Sequence, residues 1–167
     1  MMSHLQYTNS ASLLEPLEPK MKKYKRIIAA IDVYSQYDQV LQSALCIAHK
    51  PSQLSLVFVT LPISYFQPYI SGVGIEYVTD ITLQAKSRLS QIAHKFDIPQ
   101  NNVYAPVGDI ATEIYKLAAD IKADLIILGA HGSGGYKVLL GNVTNTVLHC
   151  AKQDVLTVKS DGSRLIA

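Results

Sequence analysis

With 167 residues, 49% of them apolar and 17% charged, the chain has the makeup of one folded domain with a real core and not of a disordered segment. Its formal net charge of +2 is too small to indicate nucleic-acid binding by itself. No apolar run approaches the roughly 18–20 residues that cross a bilayer, and residues 1–20 lack the basic-then-apolar pattern of a secretory signal.

Residues 1–20 show no periodic pattern and end in the Pro-punctuated turn Glu15-Pro16-Leu17-Glu18-Pro19, which predicts a mobile tail. The domain is expected over 21–160, with a polar tail at 161–167. The cluster Lys20, Lys22, Lys23, Lys25 and Arg26 suits an anionic surface, but a solvated flank that keeps the following strand soluble is the favoured reading. Ile27-Ile28-Ala29-Ala30-Ile31 is an unbroken apolar run, as expected of a parallel strand covered on both faces, and it ends at Asp32. Val40, Leu41, Ala44, Leu45 and Ala48 recur at helical spacing and predict a helix from about Gln36 to His49. Leu54 to Val59 is the second strand. Leu61 to Gly74 follows as a long irregular piece with Tyr65, Phe66 and Tyr69, aromatics that either cap a ligand or pack the loop down.

A helix is predicted from about Glu76 to Lys95, then a short edge strand, Val103 to Val107, broken by Pro106. Gly108-Asp109 starts the next helix with Asp109 as its N-cap and Ile110, Ile114, Leu117, Ala118 and Ile121 as its apolar face. Leu125 to Leu128 is the fourth strand. After a glycine-rich loop, Val143, Val147, Cys150 and Ala151 are expected to face inward on a last helix opening at Asn142, and Val155 to Val158 is the fifth strand. Cys46 and Cys150 lack CxxC spacing, so two reduced core cysteines of a cytosolic protein are expected, not a disulfide or a metal site. Strands alternating with helices predict an α/β fold: an open parallel sheet with helices on both faces, Rossmann-like, with ligands beyond the carboxyl ends of the strands.

The chemistry concentrates at Gly129–Asn142. Five glycines, Gly129, Gly132, Gly134, Gly135 and Gly141, stand between a strand and a helix. Glycines admit close backbone approach to a phosphate, and a helix start adds free N–H donors and a positive dipole end. The alternative is a loop without ligand. No Gly-Lys-Ser/Thr triplet follows, so this is not a Walker A loop, and the GxGxxG spacing of the dinucleotide fingerprint is missing. Asp32 is read as an acceptor for a ribose hydroxyl or, otherwise, as a turn residue. His131 suits a phosphate contact or proton transfer, but no second catalytic group pairs with it. A catalytic role of the chain's own therefore has little support, a weak ATP hydrolase being the most that His131 suggests. The remaining histidines show no HxH or HExxH spacing, so no metal site is read.

From about Lys22 to Lys159 the chain resembles the universal stress protein family. The likeness rests on YKRIIAAID, LSLVFV, GDIATEIYKLAADIKADLIILGAHG and GNVTNTVLHCAKQDVLTVK. It implies a five-stranded sheet of order 3-2-1-4-5, a cytoplasmic role in stress survival, and a homodimer paired through the last strand, Val155–Val158. It also implies ATP or AMP as ligand, with or without Mg2+, and neither nucleic acid nor membrane as partner. Carried over by position, Asp32 contacts ribose or adenine and Val59 lies near the adenine edge. Gly129, His131, Gly132 and Gly141 belong to the phosphate loop, with Asn142 and Val143 at the helix start. ATP-binding members read Gly, two residues, Gly, nine residues, Gly, then Ser or Thr. Here only Ser133 to Leu140 separate Gly132 from Gly141, one residue fewer, and Asn142 replaces the hydroxyl. The alternative expectation is a ligand-free dimeric interaction module of the branch that does not bind ATP.

Overall fold

The structure of the protein, a computed structural model, describes residues 24–35, 37–65, 75–130 and 137–159, with backbone alone for 63, 75–79 and 137–142. Five strands alternate with four helices: β1 (Ile27–Ala30), α1 (Asp38–Ile47), β2 (Leu54–Val57), α2 (Ile75–Lys95), β3 (Val103–Tyr104), α3 (Ile110–Asp120), β4 (Leu125–Gly129), α4 (Lys137–Cys150) and β5 (Asp154–Val158). All pairings are parallel, in the order β3-β2-β1-β4-β5. The expected sheet and its order are therefore both present. The two tails and most of the irregular piece, 66–74, lie outside the described residues.

The strand sequences explain the layers. Successive side chains in a strand point to opposite faces, and every residue of β2 is buried. Ile27, Ala29, Leu54, Leu56, Leu125 and Ile127 face one cluster with Leu41 and Ala44 of α1 and Ala85, Leu89 and Ala93 of α2. Ile28, Val57, Val59, Ile126 and Leu128 face the other with Ala111, Ile114 and Ala118 of α3 and Val147 of α4. Apolar residues at both parities are what make the strands read as unbroken runs. The chain moves from β1 to β3 with α1 and α2 on one face, then crosses to β4 and continues with α3 and α4 on the other. The order thus reverses between β1 and β4.

Three expectations need correction. The third strand is only Val103–Tyr104, and Val107 meets the sheet through a single bridge to Thr60. Pro106, without an N–H, ends the ladder there. α4 begins at Lys137 and not at Asn142. Lys137-Val138-Leu139-Leu140 includes strong helix formers, and the cost of about 1 kcal/mol for a helical glycine at Gly141 does not stop a helix anchored by packing farther on. Cys46 and Cys150 are free thiols, but both are exposed and neither belongs to the core. The inward seam of α4 runs through Val143, Thr144, Val147 and Ala151, which turns Cys150 about 100° away from Ala151. On α1, Cys46 lies two residues beyond buried Ala44, on the outer face.

Candidate functional site

At the carboxyl ends of the strands the local sequence sets up a crevice. β1 leaves the sheet through Ile31, whose N–H donates to the Val57 carbonyl at 3.0 Å. Ile31 and Val33 are buried on the α1–α2 face, so Asp32 between them stands on the α3–α4 face. The Asp32 Oδ1 accepts from the Tyr34 N–H at 2.9 Å, and its carbonyl accepts from Ser35 N–H at 3.2 Å. This is a side-chain turn of the kind that aspartate forms two residues back from its donor. The turn is braced from the other face: the Tyr34 ring meets Phe58 edge-on at 5.7 Å, and the Arg88 guanidinium lies 4.8 Å from the Tyr34 centroid. The turn reading of Asp32 is thus present in the structure, and it uses one carboxylate oxygen, Oδ1.

Beside it, Val59 is buried at the exit of β2. Beyond β1 on the other side, β4 ends at Gly129. The next residue, Ala130, donates its N–H to Val158 at 2.8 Å, prolonging the ladder with β5. Thr144 is buried on α4, and its hydroxyl donates to the Gly129 carbonyl at 3.1 Å. That bond holds α4 against the end of β4. Its signal was present in the sequence, since Thr144 lies three residues before Val147 on the inward seam. Tyr115 of α3 adds a second tie, its hydroxyl donating to the Thr146 carbonyl at 2.6 Å. Burial pushes the Tyr115 phenol up, with the nearby Cys150 thiol adding to the shift.

A shallow cleft of about 80 Å³ opens on this face, lined by Leu61 and Tyr65 after β2, Asp109, Ile110 and Ala111 at the start of α3, and Val143 and Thr146 of α4. Asp109 is the α3 N-cap, as its place after Gly108 predicts. Its Oδ1 accepts from both the Thr112 N–H at 2.9 Å and the Thr112 hydroxyl at 2.7 Å. The Thr112 hydroxyl bond, then the backbone bond, hold its carboxyl below the usual range, against a smaller opposing effect of burial. Tyr65, read only as a capping or packing aromatic, ends a single 3-10 turn, Ile63–Tyr65, and leaves 51% of its surface exposed.

Of the sequence-derived site residues, the structure places Asp32, Val59 and Gly129 at the ends of adjacent strands and Val143 on the cleft. His131 and Gly132 lie outside the described residues. Gly141 and Asn142 stand in the second turn of α4. The unpaired N–H groups of that helix therefore belong to its first four residues, not to Asn142. Among the described residues no group of three His, Cys, Asp or Glu side chains is placed to hold a metal ion, and no described helix is long and apolar enough to cross a membrane.

The Universal stress protein family profile matches residues 23–159. The chain belongs to that family. It is 33% identical over 146 residues to Universal stress protein A homolog 2 of Coxiella burnetii, covering 86% of this chain and 100% of the relative. Among solved structures, protein MJ0577 of Methanocaldococcus jannaschii superposes with a TM-score of 0.68 at 26% identity, covering 85% of this chain and 100% of that one. A universal stress protein solved in complex with cAMP superposes with a TM-score of 0.50 at 25% identity, covering 83% of this chain and 98% of that one. A universal stress protein of similar fold has thus been solved with an adenine nucleotide bound.

Proposed function

We propose that this universal stress protein is a cytoplasmic stress-response protein that binds ATP or AMP across the carboxyl edge of its sheet. The observation that carries the reading is the meeting of Asp32, Val59 and Gly129 on three neighbouring strands at the point where the strand order reverses. Crevices of this kind are where open α/β sheets take nucleotides. The Asp32 Oδ2 accepts from a ribose hydroxyl. Gly129, His131 and Gly132 are assigned to the phosphates, which also meet the positive end of α4. Gly141 and Asn142 sit behind that end, and Val143 reaches the site through the cleft. Mg2+ enters with the phosphates of ATP, not through a protein cage.

The direct test is the nucleotide content of the purified protein, released by denaturation and resolved by chromatography. In a Mg-ATP titration, ligand at a hundred times its dissociation constant adds about 2.7 kcal/mol of stability. Asp32→Ala and Gly132→Val abolish that gain. Absence of any thermal shift at millimolar ATP sinks the reading. It would favour the second one, a ligand-free dimeric interaction module, for which the short span between Gly132 and Gly141 speaks.

Both readings take the homodimer to form through β5. It is an edge strand with half-buried Val155, Leu156, Thr157 and Val158, and such an edge pairs readily with another chain. Leu156→Asp or Val158→Asp is expected to yield monomers by light scattering.

A further inference from the structure

Resting on the adenine-nucleotide reading, we infer that Arg88 of α2 is a positioning residue for the site: through the Tyr34 ring it holds the Asp32 turn, and with it the carboxylate that meets the ribose. The turn is short. The Tyr34 N–H donates to the Asp32 Oδ1 at 2.9 Å, and the Ser35 N–H donates to the Asp32 carbonyl at 3.2 Å. Val33 and Ser35 are buried, at 3% and 6% exposure, and anchor the inner side of the turn. Tyr34 stands between them on the outer side, with 36% of its surface exposed. Outward loop residues are ordinarily mobile, yet the N–H of this one is the donor that fixes Asp32. Tyr34 therefore needs an anchor of its own.

Its ring has two. Phe58 meets it edge-on at 5.7 Å with an interplanar angle of 74°, an arrangement that the ring quadrupoles favour. The Arg88 guanidinium lies 4.8 Å from the ring centroid, within the roughly 6 Å over which a cation is drawn to an aromatic face. Helical spacing puts Arg88 about 60° around α2 from buried Ala85. Its stem thus leaves from the flank of the buried seam, and its charged end reaches the loop after β1. Among the described residues the guanidinium makes no ion pair, so no carboxylate competes with the ring for it.

The two faces of the sheet keep this residue out of the ligand's reach. α2 packs on the α1–α2 face, whereas Asp32 stands on the α3–α4 face. Arg88 therefore works through Tyr34 and not by touching the nucleotide. What it supplies is order: a carboxylate already held by its turn loses less freedom when the ribose arrives.

The experiment measures ATP and dideoxy-ATP, which lacks both ribose hydroxyls, by titration calorimetry on the full chain. A cation–π contact at an exposed site is worth about two- to fivefold in an equilibrium constant. Arg88→Ala is expected to weaken ATP by that factor while dideoxy-ATP keeps its wild-type affinity. Arg88→Met retains an apolar stem without the charge and is expected to lose as much as alanine. Lys86→Ala removes an equal charge from the exposed side of the same helix and is expected to change neither affinity. Hydrogen exchange on the free protein reads the clamp without nucleotide. In Arg88→Ala the Tyr34 N–H is expected to exchange about two- to fivefold faster, while the Ile31 N–H, bonded to the Val57 carbonyl, keeps its rate. If the wild type binds ATP but Arg88→Ala weakens ATP and dideoxy-ATP alike, the arginine acts as a plain charge. If Arg88→Ala weakens neither, or leaves Tyr34 exchange unchanged, the ring does not hold the turn. Either outcome overturns the positioning role while the nucleotide reading stands. If the wild type does not bind ATP, both fall together.

Discussion

At the N-terminal edge of the sheet the Asp124 carboxylate ties backbone far away in the chain, whereas at the C-terminal edge the carboxylates of Asp32 and Asp109 hold local turns. At the N-terminal edge the Asp124 carboxylate accepts the N–H groups of Lys25 at 2.9 Å and Arg26 at 3.1 Å, and the Arg26 Nε donates to the Lys122 carbonyl at 2.8 Å. Lys122 offers that carbonyl from a left-handed turn, φ 52°, just past α3. The Gln53 amide accepts from the N–H groups of His49 and Lys50 and donates to the Tyr24 carbonyl. Asn102 donates to the Ser52 and Leu54 carbonyls at 3.1 and 2.9 Å. At the C-terminal edge Asp32 and Asp109 each commit one carboxylate oxygen to a nearby backbone N–H, and the other oxygen makes no hydrogen bond among the described residues. The difference separates two jobs. One edge satisfies its carboxylate internally and fixes strand register, while the other has hydrogen-bonding capacity that the proposed nucleotide would use.

The largest stability effect is expected where the tied edge is cut. Asp124→Ala removes the acceptor for two backbone N–H groups at the start of β1, and hydrogen bonds to a charged partner are worth about 1.5–3 kcal/mol. A loss of about 2 kcal/mol in denaturant unfolding is expected, with nucleotide affinity unchanged because the crevice lies at the other end of the strands. A fall in affinity without a fall in stability would reverse the assignment of the two edges.

Next in size is Asp109→Ala, which removes the α3 cap and costs about 1 kcal/mol. This effect depends on pH. The folded-state carboxyl is held below its unfolded value by the Thr112 hydroxyl and then the Thr112 N–H. Its contribution is therefore fully present above the unfolded aspartate value, about pH 4, and is lost as the pH falls through the folded value. Wild type and Asp109→Ala should converge in stability in acid and differ near neutrality. A constant difference down to the lowest pH at which both fold would mean that the cap does not depend on ionisation.

The same contrast marks what the sequence made legible. β1, β2 and β4 are legible because burial on both faces leaves largely apolar runs, and Asp109 because a cap acts within one turn of chain. Their lateral order comes from family resemblance, since periodicity says nothing about which strand neighbours which. Asp124 is opaque for a similar reason: its partners Lys25 and Arg26 are 99 and 98 residues away. The start of α4 misleads because Gly141 resembles the end of a loop, although helix formers precede it and Thr144 and Val147 anchor the helix beyond. Tyr65 stayed ambiguous because only the position of α3 shows that its ring borders a cleft.

The smallest expected effect concerns Thr60, where the open edge carries a polar group that no described residue satisfies. Its side chain is buried, and among the described residues the Oγ1 has no hydrogen-bond partner. The backbone is pinned on both sides, with the Thr60 N–H donating to the Pro106 carbonyl and the Gly108 N–H donating to the Thr60 carbonyl, each at 2.9 Å. The hydroxyl is thus not free to move toward a partner. Valine has the same shape without the hydroxyl, so Thr60→Val should raise stability by up to about 1 kcal/mol. Phe58 packs on the α1–α2 face and Val59 on the other, and alternation returns Thr60 to the α1–α2 face, away from the cleft. Nucleotide affinity should therefore stay constant as stability rises. A loss of stability would show that the hydroxyl is satisfied in solution. A loss of affinity alone would move the ligand to the opposite face of β2, and the division of labour between the edges would have to be redrawn around Thr60 instead of Asp109.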